Sequence, residues 1–446
     1  MDFIPEMFAF TTHFLASNLI MKLINFLPVS TEQFHDDLSD DDMHPDPELP
    51  ENENTKFMKK NPKVHQDEVT TAYWLNNAKS FVEQQAQRTP NTKKAKNIIM
   101  FLGDGMSHPT VAAARVYIGG EDKKLAFENL PYTASSKTYC VDYQVGDSAC
   151  TATAYLSGVK TNDGMIGVSA RGLSGNCEDA KDPTKITESI AVWAMREGKE
   201  AGVVTTTRIT HASPAGVYGH VTDRDFENDY NVKYYGCDPD LVDDIAEQMV
   251  HGDGMNLKVM LGGGSRSFVD QTMTENDRPG YRTDGKNLID EWKAMEPERV
   301  FVNNKQDMLN VPSDVHKLFG LFHTDHIPYN IDILRDGLQD DIPSLTDMTV
   351  KAIEILSQNE EGFFLFVEGG RIDHGHHATQ AKHALDETAE FSKAIEAALG
   401  MIDLEETLVV VTADHSHVMT MAGYAVSEPD LVIRINNKTI FLTGSW

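Results

Sequence analysis

The chain is poor in cysteine and positive charge. Its 446 residues include only 4 cysteines, which excludes a disulfide scaffold and requires a hydrophobic core to hold the fold. Lys and Arg number 39 against 69 Asp and Glu, giving a formal net charge of −30. Such an acidic surface repels nucleic acid and anionic membranes, so neither is expected as a partner. Taken alone, the acidity indicates no more than good solubility.

The four cysteines fall into two pairs along the chain. Cys140 and Cys150 lie close together around a segment that carries a candidate nucleophile. Cys177 and Cys237 lie in loop-like stretches, where they are able to form one bridge. This pattern leaves the redox compartment open.

The N-terminal part is apolar and then strongly acidic. Residues 7–28 are apolar, but Asp2 and Glu6 stand where a secretory signal needs positive charge, so the presence and the absence of a signal are equally open. Outside that run, no stretch reaches the ~18 apolar residues that a membrane helix needs. Residues 36–54 are acidic and contain proline, which predicts a disordered linker or pro-segment. We therefore expect an N-terminal segment at 1–60.

The domain predicted for residues 61–446 has an α/β pattern. Short apolar runs that suit strands buried on both faces occur at 97–103, 202–210, 257–264, 362–370 and 407–415. Helical spacing occurs at 69–88, 185–197, 346–358 and 378–399. This alternation predicts an α/β fold with a doubly wound, mostly parallel central sheet and helices on both faces.

Polar side chains follow four of the predicted strands. Ligands of open α/β sheets bind beyond the carboxyl ends of the strands, so these side chains are expected at one edge. The candidates are Asp104, His211, Ser213, Glu368, Asp373, His377, Asp414 and His415. Each alone fits a turn residue, a helix cap or a surface pair. Together, these oxygen and nitrogen ligands predict zinc, with magnesium where oxygen dominates.

Ser148 is the candidate nucleophile. It precedes a run of small residues and helix formers that Gly158 can terminate, which places it at a helix N-terminus. There the helix dipole favours an alkoxide and an incoming phosphate. The alternative is a plain serine N-cap. Since no histidine lies nearby in sequence to act as base, a zinc ion is the expected means of lowering the pKa of Ser148.

Arg224 is the candidate phosphate clamp. A guanidinium group binds two phosphate oxygens through parallel hydrogen bonds. The alternative is a surface ion pair with Asp223 or Asp225. The glycine-rich stretch 261–266 lacks the lysine and the spacing of a P-loop, so we interpret it as a turn.

From about residue 69 to 446 the sequence resembles the animal-type alkaline phosphatase family. The segments that carry this resemblance are FLGDGM, GDSACTATAYLSGVKT, GVVTTTRITHASPAG, LGGGSRSF, DGKNL, GFFLFVEGGRIDHGHH and LVVVTADHSHVMTMAGY. They occur in the family's order and without large gaps.

The resemblance implies two zinc ions and one magnesium ion. Its implied ligands are Asp373 and His377 for the first zinc, Asp104, Asp414 and His415 for the second, and Asp104, Ser213 and Glu368 for magnesium, with His211 close by. His417 resembles a partner that orients one of these ligands. Arg224 occupies the family's phosphate-binding position.

The implied reaction is hydrolysis of small phosphate monoesters by two in-line displacements. Ser148 attacks phosphorus to give a phosphoserine, and water on the first zinc then releases phosphate. The resemblance also implies a homodimer and an extracellular or cell-surface location.

The sequence departs from the family's pattern in several places. It stops at 438–446, before the segment that supplies a third histidine to the first zinc, so we expect a C-terminal truncation that also lacks any anchor signal. His323 stands where the family's calcium site has a carboxylate, so calcium is not expected. Cys150 replaces a small residue, and Asn437 is a weak glycosylation acceptor.

Two other functions stay open for a sequence that departs from the family's pattern in this way. A zinc-poor, non-catalytic relative would serve as a binding or surface protein. A phosphodiesterase or sulfatase of the same superfamily would keep the metals. The serine at position 148 and the magnesium ligands argue against this second alternative.

Overall fold

A computed structural model describes residues 68–276 and 278–421. The predicted N-terminal segment 1–60, with its signal and linker, lies outside the described residues, as do Asn437 and the end of the chain at 438–446. The division at residue 60 stays a prediction.

Thirteen α-helices and nine strands make up the described residues, together with short 3-10 helices at Ala126–Asn129, Asp179–Lys181, Asp253–Asn256 and Ser265–Ser267. The strands are β1 (Asn97–Gly103), β2 (Glu200–Arg208), β3 (Val259–Gly263), β4 (Thr274–Glu275), β5 (Arg278–Pro279), β6 (Arg299–Val302), β7 (Lys317–Leu321), β8 (Phe363–Gly369) and β9 (Thr407–Thr412). The helices are α1 (Thr71–Ala86), α2 (His108–Ile118), α3 (Ser148–Ser157), α4 (Ile190–Arg196), α5 (Ala212–Ala215), α6 (Asp229–Tyr234), α7 (Ile245–His251), α8 (Leu288–Met295), α9 (Lys305–Asn310), α10 (Asn330–Asp336), α11 (Leu345–Leu356), α12 (Arg371–His377) and α13 (Ala381–Met401).

The centre of the fold is a seven-stranded sheet in the order β6-β7-β3-β2-β8-β1-β9. All of its pairings are parallel, which confirms the predicted α/β class and sheet. The five predicted strands are present. The sequence did not predict β6 and β7, whose 4 and 5 residues are short and lie at one side of the sheet.

Apolar side chains cover both faces of the sheet. Along β1, Met100 and Leu102 belong to one hydrophobic core, whereas Ile99 and Phe101 belong to a second. Phe366 and Val367 divide between the two cores in the same way on β8. Burial on both sides explains why the strand sequences are apolar without alternation.

The strand order places the predicted site. The four strands that precede the candidate residues are consecutive neighbours, in the order β2-β8-β1-β9. Parallel pairing brings their carboxyl ends to one edge. Residues that are hundreds of positions apart in sequence therefore meet there.

Two disulfides link the four cysteines. Cys177 bonds to Cys237, as the sequence allowed, and Cys140 bonds to Cys150, a pairing that the sequence did not predict. Among the residues that the structure describes, no helix is both long and apolar enough to span a membrane.

Candidate active site

Ser148 lies at the centre of the strand edge, on the first turn of α3. The N-cap of this helix is Asp147, whose carboxylate accepts hydrogen bonds from the backbone N–H groups of Ala149 and Cys150. Ser148 is therefore the first helical residue, and the alternative of a serine N-cap is wrong. Its hydroxyl stays available for chemistry, although the side chain is buried.

Two of the candidate residues contact the Ser148 hydroxyl. Its Oγ lies 3.3 Å from Asp104 Oδ2 and 3.4 Å from His415 Nε2. Asp414 lies beside them, and its Oδ1 accepts a hydrogen bond of 3.0 Å from the backbone N–H of Gly105. Ligand atoms of Asp104, Asp414 and His415 all lie within 4.8 Å of one another, which is close enough to share one ion.

The carboxylates of the site lack enough hydrogen-bond donors. Asp104 Oδ1, Glu368 Oε1, Asp373 Oδ1 and Asp414 Oδ2 are buried, and each has no hydrogen-bond partner among the described residues. Burial and the charges of Asp414 and Asp373 raise the pKa of Asp104 well above its usual range. Burying several like charges without compensation is costly. The arrangement therefore fits bound cations.

A second group of possible metal ligands lies next to the first. Asp373 and His377, four residues apart on α12, place ligand atoms within 4.8 Å of one another and of His417. His417 Nε2 lies 3.5 Å from Asp373 Oδ1. The two side chains are therefore neighbours, and the orienting role implied for His417 stays a prediction.

A third group is rich in oxygen. Ser213, on the short helix α5, has a buried Oγ with no hydrogen-bond partner among the described residues. The other oxygen of Glu368 accepts hydrogen bonds from the hydroxyls of Thr205 and Thr207, and burial raises the pKa of Glu368 to about 7. An oxygen set of this kind suits magnesium.

His211 begins the same helix as its N-cap. Its Nε2 lies 3.2 Å from Nη2 of Arg224, and its Nδ1 is buried with no partner among the described residues. Burial and the guanidinium of Arg224 hold the pKa of His211 well below its usual range, so the ring is neutral. A neutral imidazole is able to bind a metal or a metal-bound water.

Arg224 pairs with Asp147, so the predicted alternative of a pair with Asp223 or Asp225 is wrong. Its Nη1 donates a hydrogen bond of 3.0 Å to Asp147 Oδ2. Burial lowers the pKa of Arg224, but the carboxylate of Asp147 outweighs this effect and raises it. The guanidinium is thus charged and held in place beside the nucleophile's helix.

Sequence reasoning missed several residues at this edge. Asp147 carried a signal, because an acidic residue just before a helix is a common N-cap. His326 and His374 had weaker signals, yet their rings lie against the ring of His211. Glu227 forms an ion pair of 2.7 Å with Arg208. The sequence gave no signal for Glu227, since its partner lies on a separate element, β2.

Comparison with known proteins assigns the family. The family profile described as alkaline phosphatase matches residues 95–440, more than half of the chain. The chain belongs to the alkaline phosphatase family. It is 45% identical over 400 residues to the membrane-bound alkaline phosphatase of Bombyx mori, with 85% of this chain and 72% of that protein covered.

Other alkaline phosphatases agree with this assignment. The tissue-nonspecific isozyme of Homo sapiens is 42% identical over 382 residues, covering 81% of this chain and 71% of that protein. The Thermus thermophilus alkaline phosphatase crystal structure has a TM-score of 0.60 at 28% identity, covering 76% of this chain and 63% of that one. A mutant TAB5 alkaline phosphatase with magnesium bound has a TM-score of 0.57 at 25% identity, covering 74% and 81%. The chain is accordingly a phosphatase, and family membership supports hydrolysis of phosphate monoesters.

Proposed function

We propose that this alkaline phosphatase hydrolyses phosphate monoesters through a phosphoserine on Ser148, with two zinc ions and one magnesium ion. The observation that carries the proposal is the buried Ser148 hydroxyl, 3.3 Å from one member of a carboxylate cluster. Four buried carboxylate oxygens in that cluster have no hydrogen-bond partner among the described residues. A nucleophile beside groups that call for cations is the arrangement that phosphoryl transfer needs.

Three sets of residues would hold the metals. The first zinc would take Asp373 and His377, the second Asp104, Asp414 and His415, and magnesium Asp104, Ser213 and Glu368 with His211 nearby. The mixed nitrogen and oxygen donors suit zinc, whereas the hydroxyl and carboxylates suit magnesium. The magnesium-bound TAB5 relative supports the magnesium assignment.

The chain's own residues would carry out a double displacement. Ser148 Oγ gives up its proton to solvent water and forms a bond to phosphorus as the bond from phosphorus to the ester oxygen breaks, and that oxygen takes a proton from water. Bound cations would supply Lewis acidity that favours the Ser148 alkoxide and neutralises charge on the phosphoryl group. Arg224 would bind two phosphoryl oxygens from the other side. Hydrolysis of the phosphoserine then returns the Ser148 hydroxyl and releases phosphate.

The wider setting rests on the relatives and the disulfides. Two disulfides support an oxidising compartment, which agrees with an extracellular or cell-surface location. The name of the Bombyx mori relative supports association with a membrane. Family resemblance alone supports a homodimer.

Substituting Ser148 tests the proposal. Ser148→Ala removes the attacking oxygen, so hydrolysis of a chromogenic phosphate ester at alkaline pH should fall on the order of 10³-fold or more. Mass spectrometry of acid-quenched wild-type protein should find phosphate on Ser148. A chelator should abolish the wild-type activity.

Ser157→Ala is the matched control, because Ser157 ends the same helix. Among the described residues, its side chain hydrogen-bonds only to that helix and to the adjoining Val159 backbone. It should keep activity within a few-fold of wild type. A Ser148→Ala variant with full activity would reject the nucleophile, and wild-type activity that survives complete metal removal would reject the metals.

A further inference from the structure

The Cys140–Cys150 disulfide encloses the residues on which the proposed chemistry depends. Cys150 is the third residue of α3, and Cys140 lies ten positions earlier with a Cα–Cα distance of 5.8 Å. Asp147 and Ser148 fall between them. The bridge thus closes a loop that contains both the nucleophile and the partner of Arg224.

The enclosed loop has little packing of its own. Val141, Tyr143 and Val145 are exposed, with 54%, 60% and 78% of their surfaces accessible. No helix or strand occurs from 141 to 146. Both half-cystines are buried, so the bridge anchors the exposed loop to the interior at its two ends.

Asp147 links this loop to the phosphate clamp in two ways. One carboxylate oxygen accepts the hydrogen bond from Arg224 Nη1 and one from the Ala149 N–H. The other accepts hydrogen bonds from the N–H groups of Cys150 and Gly164, at 3.0 and 3.2 Å. Movement of Asp147 would therefore change the position of the guanidinium.

A second path runs through the backbone. Val141 N–H donates to the carbonyl of Thr161 at 2.9 Å, which ties the start of the loop to the segment that follows α3. In that segment the carbonyl of Gly164 accepts a hydrogen bond of 2.7 Å from the N–H of Arg224. Both the side chain and the backbone of Arg224 are thus connected to the loop.

We propose that the Cys140–Cys150 disulfide is a positioning device for phosphate binding, which fixes Asp147 and, through it, Arg224 relative to Ser148. The inference rests on the proposed phosphatase function of this site. A loop with exposed side chains would otherwise have to be ordered each time a phosphate binds, and that ordering weakens binding. With the bridge in place, the entropy of ordering this loop is lost during folding, before substrate binds.

Removing each disulfide separately tests the proposal. The test variant is Cys140→Ala/Cys150→Ala, and the control is Cys177→Ala/Cys237→Ala. Among the described residues, Cys177 and Cys237 form no hydrogen bond with Asp147, Ser148 or Arg224. The Ki of inorganic phosphate and the KM of a chromogenic ester should rise about three- to tenfold in the test variant only, with kcat within about twofold. Both variants should melt at lower temperature than wild type, so melting alone does not distinguish them.

An Asp147→Ala background shows whether the bridge acts through Asp147. There, loss of Cys140–Cys150 should raise the phosphate Ki by less than in the wild-type background, because the side-chain connection is already broken and only the backbone path remains. A Ki that is unchanged by the test variant in the wild-type background would overturn the proposal. So would an equal rise in the control variant, or an undiminished rise in the Asp147→Ala background.

Reduction of the wild-type holoenzyme provides a second measurement if the test variant does not fold. Mild phosphine treatment, followed by alkylation and mass spectrometry, identifies molecules with Cys140 and Cys150 reduced. The apparent phosphate Ki of the sample should rise as the reduced fraction grows. An unchanged Ki would reject the proposal. Wild-type protein that neither hydrolyses the ester nor binds phosphate would instead reject the proposed function.

Discussion

Asp147 and Ser148 are adjacent residues with separate tasks at the site. Each carboxylate oxygen of Asp147 accepts two hydrogen bonds. The donors are the N–H groups that begin α3, the N–H of Gly164 and the guanidinium of Arg224. Ser148, one position later, is spared from capping. The division matters because a serine that capped the helix would direct its oxygen to the backbone instead of to phosphorus.

Arg224→Ala should weaken phosphate binding without unfolding the protein. Hydrogen bonds to charged groups contribute about 1.5–3 kcal/mol, so the Ki of inorganic phosphate should rise roughly ten- to hundredfold. Arg196→Ala is the control, since Arg196 forms an exposed ion pair with Glu188 on the surface. Inhibition assays measure both, and an unchanged Ki in Arg224→Ala would show that the guanidinium does not bind phosphate.

At the scale of elements, α3 is a short helix with a well-defined beginning and end. Asp147 caps its first turn, and Gly158 ends it in the left-handed conformation with φ of 75°. The N–H of Gly158 bonds to the carbonyl of Ala154 at 2.9 Å. These two caps fix the length of the helix, and so the position of Ser148 at its start.

Gly158→Ala should destabilise the fold by about 1 kcal/mol, because a Cβ disfavours positive φ. No heavy atom lies within 4 Å of the place a Cβ would take, so crowding adds nothing. Gly400 on α13 offers equal space without positive φ. Gly400→Ala should therefore stabilise the fold by roughly 0.5–1 kcal/mol. Denaturant unfolding compares the two, and equal effects would contradict the interpretation.

At the scale of the whole molecule, stability and metal content should be linked. Buried carboxylates on α12 and at the ends of β1, β8 and β9 meet at the site. The apolar side chains of these elements pack in the two hydrophobic cores. Cations that bind only the folded state add stability, by about 4 kcal/mol when their concentration is ~1,000 times the Kd. Without bound cations, the negative charges of these carboxylates repel one another.

Chelation should therefore lower the melting temperature, and zinc with magnesium should restore it. The loss should grow with pH, because burial raises the pKa of Glu368 to about 7 while its unfolded value is near 4.5. The metal-free folded state keeps this proton as the unfolded state loses it, so its stability falls as pH rises from about 4.5 to 7. Melting curves with and without chelator at pH 5.5 and 8 measure this. Curves that coincide at both pH values would contradict it.

The sequence by itself determined the class of the fold and the candidate chemical groups. Apolar runs mark buried strands, and the polar residues after them were predicted at one edge because parallel strands end together. Five strands followed from this local signal. β6 and β7 did not, since 4 or 5 residues give too little pattern to separate a strand from a loop.

Only the tertiary structure decided which groups meet. Arg224 and Asp147 are 77 positions apart, and neither has a local pattern that names the other as partner. The neighbouring His326 and His374 rings and the Cys140–Cys150 bridge are likewise consequences of packing. Periodicity records which side of an element is buried, but contacts between distant residues depend on strand order and loop paths, which no short stretch of sequence contains.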